Sequence, residues 1–196
     1  MQDLAYYNSY FGRDTINTYY FNNDGTMLTG WMKNSDGTYY YFLQADYNIN
    51  VAGALNMDDL IKLGFSRGSM IKSNWANVRS VGTNEFYWYY FNENGIMLTD
   101  WQYIGGYWYY MNSLGHMLTG WQSIGGYWYY MNSSGQMTTG WQQIGGSWYF
   151  LRQSANQYGT GPAGSMLANT SAYINGKTYY FNASGVCTNP FVLIHR

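Results

Sequence analysis

The sequence predicts an all-β fold, a solenoid of stacked β-hairpins with one short helical insertion near residues 56–64. Three observations predict it. Aromatic side chains make up 21% of the 196 residues (9 Trp, 24 Tyr, 9 Phe), charged residues only 10%, and Gly matches Tyr at 24. An ordinary globular domain is about one-quarter charged and builds its core from aliphatics. A core made of Trp and Tyr instead suits short strands joined by glycine turns. The second observation is a repeat. Trp101–Gly120 (WQYIGGYWYYMNSLGHMLTG) and Trp121–Gly140 (WQSIGGYWYYMNSSGQMTTG) differ at four of 20 positions, and a third copy begins at Trp141 with WQQIGGSWYFL. The third is its length: one such hairpin cannot bury its aromatic face alone, so stacked neighbours must share a core.

The elements follow in chain order as one domain over 1–196. Residues 1–17 and 190–196 are read as caps on the ends of the stack, since exposed strand edges need protection; an uncapped terminal hairpin would favour a homodimer. TYYFNNDGTMLTGW (Thr18–Trp31) is a first, looser copy. The period then breaks: Phe42 and Gly68 stand 26 apart, against 4 between the matching Met111 and Gly115. Within this insertion, 43–67, Asn56 suits an N-cap, Asp58 and Asp59 the first helical turn, and Gly64 the C-cap. Trp75 and Trp88 are 13 apart where regular copies have 7. Regular repeats occupy 88–150. In each, a run such as Tyr127–Met131 is a strand, Asn132–Gly135 a turn, and Gln136–Thr139 a returning strand, with Ile144-Gly145-Gly146 as a further turn. A Gly/Pro/Ser loop inserts at 152–163, and INGKTYYFNASGVCTNP (Ile174–Pro190) is the last copy.

Composition excludes several functions. A net charge of −1 provides no basic field for nucleic acid, and no apolar run is long enough to span a membrane. Cys187 is the sole cysteine, so neither an internal disulfide framework nor a cysteine-based zinc site is expected. No signal peptide is visible in MQDLAYYNSY. Every Asp and Glu lies within Asp3–Asp100, so the regular repeats hold no carboxylate pair for glycoside hydrolysis and no carboxylate-ligated metal. His116 replaces Gln136 of the next copy and reads as an exposed strand residue; His195 is isolated, and Cys187, in a methionine position, reads as core. No catalytic residue, metal or cofactor is expected, and enzymatic activity would need a domain outside this chain. What recurs is aromatic faces, which attract a quaternary ammonium without requiring a carboxylate.

Gly120–Trp141 (GWQSIGGYWYYMNSSGQMTTGW) resembles the choline-binding, or cell-wall-binding, repeats of Gram-positive surface proteins and phage lysins: GW, a short polar stretch, WYY, Asn, Gly, Met and TG. The match is close over Trp88–Phe150. The last copy is more similar to repeats of glucan-binding proteins and clostridial toxins. The resemblance implies a non-catalytic, secreted module on the cell surface or cell wall, holding choline of teichoic acids, or another wall glycan, in cages between hairpins. Carried over by position, one cage would be Trp101, Trp108 and Tyr130 with Met117. A second would be Trp121, Trp128 and Phe150 with Met137, and a third Trp141, Trp148 and Tyr180 with Met166. A fourth would be Trp75, Trp88 and Tyr110 with Met97. Trp31 with Tyr39, where Tyr replaces the second Trp, is set aside.

The second tyrosine of each strand is assigned to the cage because residues two apart share a face. Tyr109, Tyr129 and Tyr149 then fall to the core. Two other readings stay open. In one the rings stack on sugars, with Asn132, Gln122 or Gln142 making polar contacts. In the other the solenoid is a structural or partner-binding rod, with Trp101, Trp121 and Trp141 buried in a dry core and the methionines acting as adaptable filler.

Overall fold

In the computed structural model the described residues are 18–22, 24–44, 50–51 and 67–190. The expected helix at 56–64 and the expected caps, apart from Pro190, lie outside them. The described chain forms thirteen strands and, among the described residues, no helix. They are β1 (Gly30–Lys33), β2 (Tyr39–Phe42), β3 (Asn50–Val51), β4 (Asn74–Arg79), β5 (Phe86–Phe91), β6 (Asp100–Ile104) and β7 (Tyr107–Met111). The rest are β8 (Gly120–Ile124), β9 (Tyr127–Met131), β10 (Gly140–Ile144), β11 (Ser147–Leu151), β12 (Thr170–Ile174) and β13 (Lys177–Phe181). All but β3 pair as antiparallel hairpins in sequence order, and β3 adds to the edge of β4.

The hairpins close at a different turn from the one expected. Gly140–Ile144 pairs with Ser147–Leu151 across Gly145-Gly146, so the GWQQI run is a full strand. Both glycines have positive φ, 57° and 82°. That is what a two-residue turn matching the twist of the flanking strands requires. The segment after the Asn-Gly turn is no second strand; it makes one bridge back, Met131↔Met137, and the same single bridge recurs at Phe91↔Met97 and Met111↔Met117. The Asn of that turn builds it. Asn132 Oδ1 accepts from the N–H groups of Ser134 and Gln136, as Asn92, Asn112 and Asn182 do in their copies.

Two compact units divide the chain. The first runs to Gln102 and takes in Met111–Met117; the second holds Tyr103–Tyr110 and continues from Leu118. Within each, successive hairpins are tied by one recurring hydrogen bond. The N–H of a methionine beyond one hairpin donates to the carbonyl of the hairpin before it. In the first unit these are Met97 to Tyr39 and Met117 to Trp88, at 2.9 Å each. In the second, Met137 reaches Trp108, Met166 reaches Trp128 and Cys187 reaches Trp148, at 2.8 Å each. Cys187 thus occupies a methionine's place and is buried.

The core lies between hairpin faces. In the first unit Tyr41, Leu43, Ile71, Ala76, Val78, Tyr89 and Phe91 pack under Trp31, and in the second Phe150, Leu167, Ala172, Ile174, Tyr179 and Phe181 pack under Trp141. Both long interruptions enter at the Asn-Gly turn. The chain rejoins through Phe42↔Met70 after the first and Leu151↔Met166 after the second, copying the single bridge of the regular repeats. The second loop is organised by Arg152, which is 6% exposed. Its Nε donates to the carbonyls of Gln157 and Gly159, and its Nη1 to Ser165 Oγ and to the carbonyls of Ser165 and Met166.

Candidate functional site

The cross-strand register decides which rings meet. Trp121 stands opposite Tyr130 and Ser123 opposite Trp128, so Trp121, Trp128 and Tyr130 share one face of their hairpin. A face of one hairpin packs on the opposite face of the next. Trp121 therefore meets Tyr149, with ring centroids 4.8 Å apart, and not Phe150. Trp128 stands edge-on to Trp121 at 6.4 Å and 82°. Met166, positioned by its bond to the Trp128 carbonyl, closes the side. Trp121, Trp128, Tyr149, Met166, Ala183 and Ser184 line an open cavity of about 420 Å³ with no charged residue in its wall. Trp128 remains 47% exposed, leaving one indole face open to a ligand.

Phe150 and Met137, expected in this cage, lie elsewhere. Phe150 is 2% exposed and packs against Trp141 of its own hairpin, its cross-strand partner, at 5.3 Å. Met137 follows Trp108, with its sulfur against the Gly164 backbone: a Cβ built on Gly164 would lie 2.2 Å from it. In the third expected cage Trp141 and Trp148 do stand edge-on at 6.3 Å, but the next wall is Tyr179, 4.7 Å from Trp141. Tyr180 is 55% exposed, and Met166 lines the neighbouring cavity.

The members of the first expected cage, Trp101, Trp108, Tyr130 and Met117, are divided between the two units. Trp101 is half-buried on β6, Trp108 is exposed on β7, Tyr130 stands 5.2 Å from Trp121, and Met117 is held by the Trp88 carbonyl. In the fourth, Trp75 faces Tyr90 at 5.1 Å, Trp88 lies opposite Asn77, and Met97 lines a different cavity. Tyr110 belongs to the second unit.

The cavity that Met97 lines belongs to the copy set aside from sequence. Trp31 stands edge-on to Tyr39 at 6.2 Å and 85°, and 4.8 Å from Tyr89 of the next hairpin. With Met97 these rings repeat the arrangement of Trp121, Trp128, Tyr149 and Met166, with Tyr39 in place of the second Trp. The cavity holds about 400 Å³. Its wall also includes His116, which is 8% exposed and not the open strand residue expected. The ring of His116 stacks on Tyr87 at 3.8 Å and 5°, and its Nε2 lies 2.9 Å from Ser80 Oγ. Burial pushes the His116 imidazole below its ordinary pKa, while the Glu85 carboxylate pulls it upward less strongly. The stretched β4–β5 hairpin supplies Ser80, Val81 and Thr83 to the rim.

The polar side chains beside the cages are committed to the fold. Gln102, Gln122 and Gln142 each donate from Nε2 to the carbonyl of the threonine three residues earlier, and Asn132 Nδ2 donates to Gln136 Oε1. Among the described residues, no group of three or more His, Cys, Asp or Glu side chains is placed to hold a metal, and no helix is long and apolar enough to cross a membrane.

Known proteins share this repeat pattern. The family model described as a choline-binding repeat matches residues 12–46, 78–119 and 118–158, more than half of the chain, and a model of cell wall binding repeats matches 172–187. Choline binding protein F from Streptococcus pneumoniae is similar at 32% identity and a TM-score of 0.62, over 90% of this chain and 50% of its own. A structure of CbpF in complex with ipratropium is similar at 33% identity and a TM-score of 0.52, over 87% of this chain and 57% of its own. The chain thus spans about half the length of these structures. No curated protein matches. With its repeated hairpins, its Trp-Trp-Tyr-Met cavity and its matches over more than half of its length, the chain belongs to the choline-binding repeat family.

Proposed function

We propose that this chain is a non-catalytic cell-surface module that holds its protein on the wall by binding choline of teichoic acids. One observation carries the reading: a cavity of ligand size whose walls are the π faces of Trp121, Trp128 and Tyr149 with the Met166 thioether, and no charge. A trimethylammonium head has no N–H to donate, so it needs no acceptor. It gains from ring quadrupoles instead, about 0.5–2 kcal/mol for each contact depending on desolvation. The Trp31, Tyr39, Tyr89 and Met97 site offers the same walls in the first unit. Several weak sites on one chain raise avidity for a polymer carrying many choline groups.

A sugar-binding role is less well supported by the same side chains. The amides that would orient a hydroxyl, Gln122, Gln142 and Asn132, already serve backbone or turn partners. Ipratropium, found with the related CbpF, carries a quaternary ammonium, which fits the same chemistry. The test is tryptophan fluorescence on adding choline chloride or a glucan oligomer. Choline should change the signal saturably, with Trp128→Ala weakening the response. A response to glucan and none to choline would overturn the proposal.

A further inference from the structure

The two cavities differ in their titratable groups. The Trp121 site is lined by Ala183 and Ser184 beside its rings, with no titratable group other than Tyr149. The Trp31 site has His116 in its wall. We propose that His116 determines the specificity of the Trp31 site, so that its protonation expels a quaternary ammonium from this site and leaves the Trp121 site loaded. This rests on the choline-binding reading above and adds a selective, acid-sensitive release.

The geometry gives a charge on His116 no escape from the ligand. The imidazole is 8% exposed, held flat on Tyr87 and edge-on to Tyr89 at 5.4 Å. Tyr89 is itself the cage wall, 4.8 Å from Trp31. Ser80 Oγ, 2.9 Å from His116 Nε2, also draws the Tyr89 phenol pKa down against the larger upward push of burial, so the histidine and the wall share one polar neighbour. Two cations in one half-closed apolar cavity repel far more strongly than in water, and at least about tenfold weaker binding follows from Coulomb's law at the dielectric of such sites.

The charged and titratable neighbours set the window. From the β4–β5 hairpin, Tyr87 and Tyr89 face the imidazole, and Glu85 stands behind them with its carboxylate taking the Tyr87 hydroxyl. Arg79 on that hairpin points its guanidinium over Phe86, at 5.6 Å. From β1–β2, Lys33 lies over Tyr39 at 5.2 Å. The other residues of its own turn that line the cavity, Ser113 and Leu114, do not titrate. Burial outweighs Glu85, so His116 is neutral at neutral pH and gains its proton at a lower pH than an ordinary histidine. In the next copy the same position is Gln136, which carries no charge and hydrogen-bonds Asn132 and Tyr109.

The experiment is an NMR titration of the intact chain with choline chloride from about pH 7.5 down to about pH 5, reading the indole N–H signals of Trp31 and Trp121 and the His116 ring signal together. Affinity at Trp31 should fall at least about tenfold as His116 protonates, with affinity at Trp121 constant. By reciprocity, saturating choline should move the His116 titration to lower pH. His116→Gln, borrowing the side chain of the next copy, should make the Trp31 site independent of pH. The inference is overturned if His116 titrates without changing affinity at Trp31, if it stays neutral throughout, if both sites weaken alike, or if the dependence survives in His116→Gln. Failure of the underlying reading looks different: neither indole responds to choline at any pH.

Discussion

The glycine of the Asn182–Gly185 turn both takes a positive φ and leaves room for Met166, and substituting it separates fold from ligand binding. Gly185 has φ +77°, and a Cβ built on it would lie 2.3 Å from Met166 Sδ and 2.4 Å from its Cε. Gly176, in the β12–β13 turn, has φ +86° with nothing within 4 Å of such a Cβ. An L-residue in the left-handed region costs about 1–2 kcal/mol, and Gly185→Ala and Gly176→Ala both incur it. Only Gly185→Ala must also displace Met166. Overpacking costs about 1–3 kcal/mol, and a flexible thioether keeps this near the lower end. The difference between the two variants is therefore about 1 kcal/mol, or about 2–4 °C in Tm for a chain of this size. Because Met166 also walls the Trp121 cavity, Gly185→Ala should weaken choline binding there and Gly176→Ala should not. Thermal unfolding followed by choline titration of both variants gives both readouts. Equal Tm values and equal affinities would refute the account of Met166 as a wall pinned by the next turn.

Other variants test other parts of the structure. Phe150→Ala should cost about 3–5 kcal/mol in urea unfolding, as a 2%-exposed core ring. Tyr149→Ala should cost less stability and remove more choline affinity at Trp121, from which its ring stands 4.8 Å. Arg152→Met strips hydrogen bonds from the carbonyls of Gln157, Gly159, Ser165 and Met166; about 2–4 kcal/mol of stability should go, read as a lower urea midpoint. His116 gives stability a pH dependence. Unfolded, it takes up a proton near its ordinary value of about 6.5, while in the fold burial resists protonation. Stability should therefore fall as pH drops below about 6.5 and level off once the folded group also protonates, and this component should be absent in His116→Gln.

Sequence and structure agree most closely where a signal is local and repeated. The 20-residue period, the aromatic strands and the Asn-Gly turns were all legible, because each depends on neighbours within a few residues. The hairpin closure was misassigned because two turn signals lie in every copy. The Gly-Gly turn, with both φ positive, closes the ladder, whereas the turn built by Asn132 returns only one bridge, Met131↔Met137.

The cage wall illustrates a limit of alternation rules. Alternation does place Trp128 and Tyr130 on one face, as the register has it. It does not say that this face packs on the opposite face of the next hairpin, so the ring meeting Trp121 is Tyr149. The Trp31 site was hidden by the insertion at 43–67, which separates Tyr39 from Tyr89 in sequence while leaving their hairpins stacked. His116 looked exposed because its equivalent is a glutamine; its burial depends on the long β4–β5 hairpin, through Ser80 and Tyr87.

The central claim is that consecutive hairpins build an aromatic cage for a quaternary ammonium. A crystal structure of the chain soaked in choline tests it most directly. A trimethylammonium head should lie between Trp121, Trp128 and Tyr149, within about 6 Å of each ring centroid, with Met166 alongside. An empty cavity at saturating choline, or choline held only away from these rings, would contradict it.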